Sequence, residues 1–392
     1  MINCQILKAL YFQESQSIAD LSKTFNKSIP LITKSINSLL EMNLVEENGF
    51  AVSTGGRRAI QFKVNNKRST YTLVIILDQF YTSIQIYDLE NNIIHESTDI
   101  YNPLVSNPKS LSTIIGVIEQ VLEQSNIPLS NFLGFGISMP GFVDPSIGIN
   151  DSFDKQAKLY HIKKHIADHF KVPVILENDS TCIAFAEQKF GVAKDIKNSL
   201  VINLNWGVGL GIIVNDEIFK GSSGYAGEFS HIPLSDSNEL CSCGKKGCLE
   251  VEASLTAALK NVETALVAGE KSSLESEQYS NLLAQGDALL EHALKGDQLA
   301  VASLGKIGYM LGKGIATLIH IVNPEAIIIS GRGAKAGDIL MPQIQTAVNE
   351  FCIPRLAKAT ELKISDLNKR AQSLGTAAFI IENLIHTLIT PN

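Results

Sequence analysis

The sequence predicts an α/β protein in two unequal parts: a small three-helix module with a β-hairpin, then a larger body of two similar α/β lobes facing each other across a cleft. Three observations carry this. The first 64 residues run helix, helix, helix, hairpin. From residue 71 a strand-rich start gives way to helix–strand units. Near residue 200 the same theme begins again, which marks a duplicated architecture.

In the module, residues 3–12 place Ile6, Leu7 and Leu10 at helical spacing. Ser17 caps a second helix, with Asp20 three residues on and Ile18, Leu21 and Phe25 as its apolar side. A third helix starts at Ser28 and tolerates Pro30 in its first turn. Its apolar positions are Ile29, Ile32, Ile36, Leu39 and Leu40; Thr33, Lys34, Asn37 and Ser38 form the other face. Two short strand-like pieces flank Asn48-Gly49, followed by Thr54-Gly-Gly-Arg57-Arg58 and a strand at 60–64. Three helices and a wing make a winged helix-turn-helix. Thr33, Lys34 and Asn37 would meet base edges and phosphates, and Arg57 and Arg58 phosphates or a narrow minor groove. The competing reading is a helical protein-interaction module.

Charge supports the nucleic-acid reading. Residues 1–68 hold nine Lys/Arg and five Asp/Glu, a balance of +4, so the −7 of the whole chain leaves −11 on the rest. A basic end on an acidic body implies that only the end meets phosphate. No apolar run approaches the ~20 residues of a membrane span, and the start lacks a secretory pattern, which predicts a soluble cytoplasmic protein.

The body should begin with strands at 71–78, 83–87 and 93–97, a helix at 108–125, a strand at 133–138, and a strand at 174–177 running into a helix that ends near 190. The second half gives strands at 200–204, 212–215 and 326–330, with helices near 299–322 and 373–388 closing that lobe. The expected units are 1–68, 69–190 and 191–392. Residues 261–296 read as helical and polar, an insert or an oligomer surface.

The sharpest chemical signal is Glu228-Phe-Ser-His231 followed by Cys241-Ser-Cys243-Gly-Lys-Lys-Gly-Cys248-Leu-Glu250. Zinc favours thiolate and imidazole ligands in a tetrahedron, and one His with three Cys closes it. His231, Cys241, Cys243 and Cys248 therefore predict a structural zinc with no open position. A redox pair or chance clustering is the alternative.

Taken with Glu177-Asn-Asp179 and Ser138-Met-Pro-Gly141, this stretch resembles the ROK family (repressors, open reading frames, kinases) over essentially the whole chain. The amino-terminal module resembles the repressor branch, which includes glucose, N-acetylglucosamine and xylose regulators. The resemblance implies an actin-like, sugar-kinase-like (ribonuclease H-like) body with zinc held by the four residues above. It also implies a sugar site at Asn178, Asp179, Glu228, His231 and Glu250, with Gly141 close by. Bidentate carboxylates read adjacent hydroxyl pairs well. Without the motif order, Glu228 and Glu250 would read as surface charges and Asn178-Asp179 as a helix cap.

In the family's kinases the residue matching Asp179 is the general base; it is retained here. The ATP side departs from the pattern. An Asp-x-Gly-Gly-Thr turn is replaced by Asp78-Gln-Phe80-Tyr81-Thr82, so bulky rings stand where phosphate needs glycine. The second glycine run keeps Gly207, Gly209 and Gly211 but has Val208 for a threonine; Ser330-Gly-Arg-Gly333 is also altered, and Ser230 replaces a glycine before His231. The expectation is a sugar-responsive DNA-binding regulator without catalysis or ATP. Its partners would be operator DNA, a sugar effector and further copies of itself in a homodimer or homotetramer. The alternatives are a sugar kinase with a DNA-binding appendage and a scaffold answering a protein partner.

Overall fold

The computed structural model describes residues 2–51, 58–276, 279 and 281–389. The module's helices are Ile2–Phe12, Ile18–Phe25 and Ile29–Glu41. Ser17 Oγ accepts from the Asp20 N–H while the Asp20 carboxylate accepts from the Ser17 N–H, and Asn26 ends that helix in the left-handed region. Ile6, Leu7, Leu10, Leu21, Ile32, Ile36 and Leu39 meet at the centre, fully buried. Two details differ from the sequence reading. Asn48-Gly49 does not separate two pieces: it is an irregularity inside one strand, Val45–Phe50, which pairs with Ile60–Val64. Ile29, assigned to the apolar side, is 56% exposed, because the first turn projects beyond the module's core.

The body holds two sheets of the same design. In the first, the order is Val174–Asn178, Phe132–Met139, Tyr71–Leu77, Tyr81–Asp88, Ile93–Glu96, with Ile100–Tyr101 also paired to Tyr81–Asp88. In the second it is Glu361–Ile364, Ala326–Ser330, Ser199–Leu204, Val208–Val214, Glu217–Ile218. Each sheet places its first strand in the middle, an antiparallel hairpin partner on one side and a parallel strand on the other. Phe132–Met139 and Ala326–Ser330 are buried at every position, as strands covered on both faces must be.

The helices do not follow a division at residue 190. Asp179–Phe190 leaves the first sheet and packs on Ser199–Leu204 and Val208–Val214 of the second; Arg370–Leu384 leaves the second and packs on Tyr71–Leu77 and Phe132–Met139 of the first. The last long helix therefore does not close the second lobe, as its position in sequence suggested. The two helices cross closely, and small residues permit it. A Cβ at Gly375 would fall 1.8 Å from the Cys182 carbonyl oxygen. Helices Leu255–Val267 and Leu282–Leu294 are no insert: Leu259, Val262, Leu289 and Leu290 are buried in the same core as Leu200 and Ile202.

The module shares its core with the body. Phe12 packs on Phe185 and Phe190 with ring centroids 5.9 Å apart in each pair, and Tyr11 on Phe190 at 6.2 Å. Lys8 pairs with Glu382 at 2.6 Å, and Val74, Tyr87 and Ile380 join the cluster that contains Ile6 and Leu10. No helix among the described residues is long and apolar enough to cross a membrane.

Candidate functional site

A cleft of about 540 Å³ opens between the lobes. Gly141, Asn178, Asp179, Glu228, His231 and Glu250 all line it. Each arrives for a local reason. Gly141 sits at the end of Phe132–Met139 with φ 102°, a backbone setting that excludes most other residues. Asn178 ends the neighbouring strand and caps the next helix, its Oδ1 accepting from the Ser180 and Thr181 N–H groups while its Nδ2 donates to the Gly141 carbonyl at 3.1 Å. Asn178 is thus a genuine helix cap, and it also fixes Gly141. Asp179 is the first helical residue; Oδ1 accepts from the Ser180 N–H at 2.8 Å and Oδ2 from Asn203 at 3.1 Å. Burial nonetheless pushes its carboxyl up to about 6. Burial likewise raises Glu228, with His231 working against it and Asp179 and Glu250 adding to it.

Behind the cleft, His231, Cys241, Cys243 and Cys248 bring four ligand atoms within 4.8 Å of one another. Cys243 Sγ lies 3.5 Å from Cys248 Sγ, and Cys241 Sγ 3.5 Å from His231 Nδ1. A tetrahedral zinc sets such atoms about 3.5–3.8 Å apart, so the donor set and its spacing fit that ion. The turn is made by Gly244 and Gly247, both at positive φ. Burial raises the Cys248 thiol to about 12, whereas the Lys245 backbone N–H lowers that of Cys243. His231 turns Nδ1 to this cluster and Nε2 toward Glu228 Oε2, 3.6 Å away, so one ring joins the cysteine cluster to the cleft.

The far half of the cleft is filled. Asp78 accepts from the Phe80 and Tyr81 N–H groups and, across the lobes, from Trp206 Nε1 at 2.8 Å. The Phe80 ring stands edge-on to Trp206 at 5.9 Å. The Arg332 guanidinium lies 5.5 Å over the Trp206 ring and pairs with Asp287 at 2.6 Å. Tyr81 donates to Asn281 at 2.9 Å and accepts from the Leu283 N–H. Gly207, Gly209 and Gly211 read as a second phosphate loop, but Gly209 and Gly211 lie within the strand Val208–Val214. A Cβ at Gly209 would stand 2.0 Å from Ser180 Oγ, so close helix packing accounts for glycine there. Sequence reasoning missed Trp206 and Asp287. The one available signal was that Trp206 is the chain's single tryptophan.

On the module, Lys34, Asn37 and Arg58 are exposed. Thr33 turns its hydroxyl back to the Ile29 carbonyl at 2.9 Å, and Arg57 lies outside the described residues.

A winged module fused to a two-lobed, sugar-kinase-like body with a Cys3His centre defines the class. The chain belongs to the ROK family, whose model matches residues 81–383. It is 29% identical over 382 residues to the xylose repressor of Bacillus spizizenii, covering 97% of this chain and 94% of that one. It is 28% identical over 361 residues to the transcriptional dual regulator NagC of Escherichia coli (91% and 86% covered). The crystal structure of a ROK family transcriptional regulator, homolog of the E. coli MLC protein, superposes with a TM-score of 0.78 at 28% identity, covering 99% and 98%. A ROK family glucokinase from Streptomyces griseus, in complex with glucose and AMPPNP, shares the body's fold: TM-score 0.66, 22% identity, 79% and 98% covered.

Proposed function

We propose that this chain is a sugar-responsive DNA-binding transcriptional repressor that does not phosphorylate its effector. The observation that carries it is one helix. Asp179–Phe190 begins in the cleft, which Asn178 and Asp179 line, and ends about 18 Å away on Tyr11 and Phe12 of the winged module. A sugar that favours one lobe arrangement would shift this helix and with it the module. Lys34 and Asn37 on Ile29–Glu41, with Thr33, Arg57 and Arg58, form the proposed DNA surface. Two copies would span two half-sites of an operator. Gly141, Asn178, Asp179, Glu228, His231 and Glu250 form the sugar site, backed by structural Zn²⁺ on His231, Cys241, Cys243 and Cys248. The Phe80–Trp206 packing supports the loss of phosphoryl transfer, since ATP phosphates need that space.

The test is effector titration of protein bound to an operator duplex, read by fluorescence anisotropy. Asp179→Ala and Glu250→Ala should abolish sugar-induced release and leave DNA affinity in place. Phe12→Ala should keep sugar binding and weaken its effect on DNA. Release unchanged in both cleft variants overturns the site.

A further inference from the structure

We propose that the first turn of the helix Ile29–Glu41 reads thymine, with Ile29 and Leu31 packing on C5-methyl groups in the major groove of DNA. This rests on the DNA-binding reading above and names what that surface recognises. Ile29, Pro30 and Leu31 are consecutive, apolar and exposed. Ile29 keeps 56% of its surface open and Leu31 40%, and neither joins the core that the module shares with the body. Ile32 and Ile36 are fully buried, so the helix uses a separate set of residues for its own packing. Thr33 donates its hydroxyl proton to the Ile29 carbonyl at 2.9 Å. In the first five residues of this helix, no side chain therefore has a proton to give to a base.

The charge around this turn selects the partner. Between Asp20 and Glu41 the chain carries Lys23, Lys27 and Lys34, all exposed, and no carboxylate. An apolar turn in a stretch with only cations fits a duplex, whose phosphates take the lysines and whose groove floor carries methyl groups. A helix-turn-helix presents the N-terminal residues of its last helix to base edges in the major groove. On that edge the C5-methyl of thymine is the one apolar group; the other bases offer donors and acceptors that Ile and Leu cannot meet. A guanine or cytosine facing the turn would lose water from its polar edge with no hydrogen bond in return. Ile29 and Leu31 therefore favour thymine both by contact with its methyl and by penalising its competitors, while Lys34 in the following turn supplies charge.

Selection of binding sites by the full-length protein from a random duplex library tests this, followed by anisotropy titration of the selected duplex. Thymine should recur at fixed positions in each half-site. Replacing those thymines singly by deoxyuridine, which lacks only the methyl, should weaken wild-type binding by about fourfold at the positions that meet Ile29 or Leu31. Ile29→Ala and Leu31→Ala should each weaken binding to the thymine duplex by about tenfold. Each should also make one of those replacements silent, since that methyl has then lost its partner. Lys34→Ala should reduce the salt dependence of binding, and the two apolar variants should leave it unchanged. Wild-type protein indifferent to deoxyuridine at every position overturns thymine reading and leaves DNA binding intact. Equal losses on thymine and deoxyuridine duplexes in both alanine variants do the same. A smaller oligomer in either alanine variant, measured by sedimentation, with deoxyuridine sensitivity retained, assigns the turn to a protein contact and overturns its role at the bases. Enrichment and binding of no duplex overturns the DNA-binding reading itself.

Discussion

On one side of Asp179 the interlobe cleft is open, acidic and backed by the cluster of His231, Cys241, Cys243 and Cys248. On the other it is packed with Phe80, Trp206 and Arg332, drawn from both lobes. Both halves come from strand ends of two sheets with the same order. Side-chain volume separates them. Gly141 and the Asn178 cap keep backbone polar groups near open space, while the Phe80 and Trp206 rings turn the matching region into an interlobe contact. A duplicated scaffold can thus keep one ligand half and close the other, and the closed half then ties the lobes together.

Three substitutions test this contrast, the largest effect first. Cys248→Ser should remove the single equivalent of zinc, measured by elemental analysis, and reduce sugar affinity below detection, because His231 loses its anchor. Emission from Trp206 should barely change, since the plug lies apart from the metal centre; a large spectral shift would merge the two halves into one unit. Phe80→Ala should cost about 1–3 kcal/mol in denaturant unfolding and shift Trp206 emission to the red, with sugar affinity kept within a few-fold. ATP binding by the wild-type chain would break the contrast outright. Asp179→Asn should act in the opposite direction and be smallest. The folded carboxyl titrates near 6, above its ordinary 3.8, so its ionised form costs stability above about pH 6 and none below about pH 4. The variant should gain about 1–2 kcal/mol at pH 7.5, and the gain should vanish by pH 4. A gain that persists at pH 4 would mean that burial of the charge is not its source.

Legibility follows distance along the chain. The His231–Cys248 cluster is readable because its ligands fall within eighteen residues and the glycines that turn the loop lie among them. The capping box at Ser17 and the strand runs are local for the same reason. The plug is different: Trp206 meets Asp78 across 128 positions and Tyr81 meets Asn281 across 200. Phe80 and Tyr81 stood out as misfits in a glycine turn, but nothing near them names their partners. The helix exchange was hidden likewise: Asp179–Phe190 is buried nearly all round, Ser180, Glu187 and Gln188 included, and its mixed sequence does not say which sheet it covers.

The sequence by itself determined the elements, the doubled body, the Cys3His cluster and the residues available to the cleft. These depend on periodicity, capping and donor chemistry within a few turns of chain. Only the tertiary structure decided that each lobe's last helix lies on the other's sheet, that glycines at 209 and 211 serve helix packing, and that Phe80 finds Trp206. Such outcomes depend on which surfaces meet when the sheets close, and close packing selects among them by volume rather than by any local pattern.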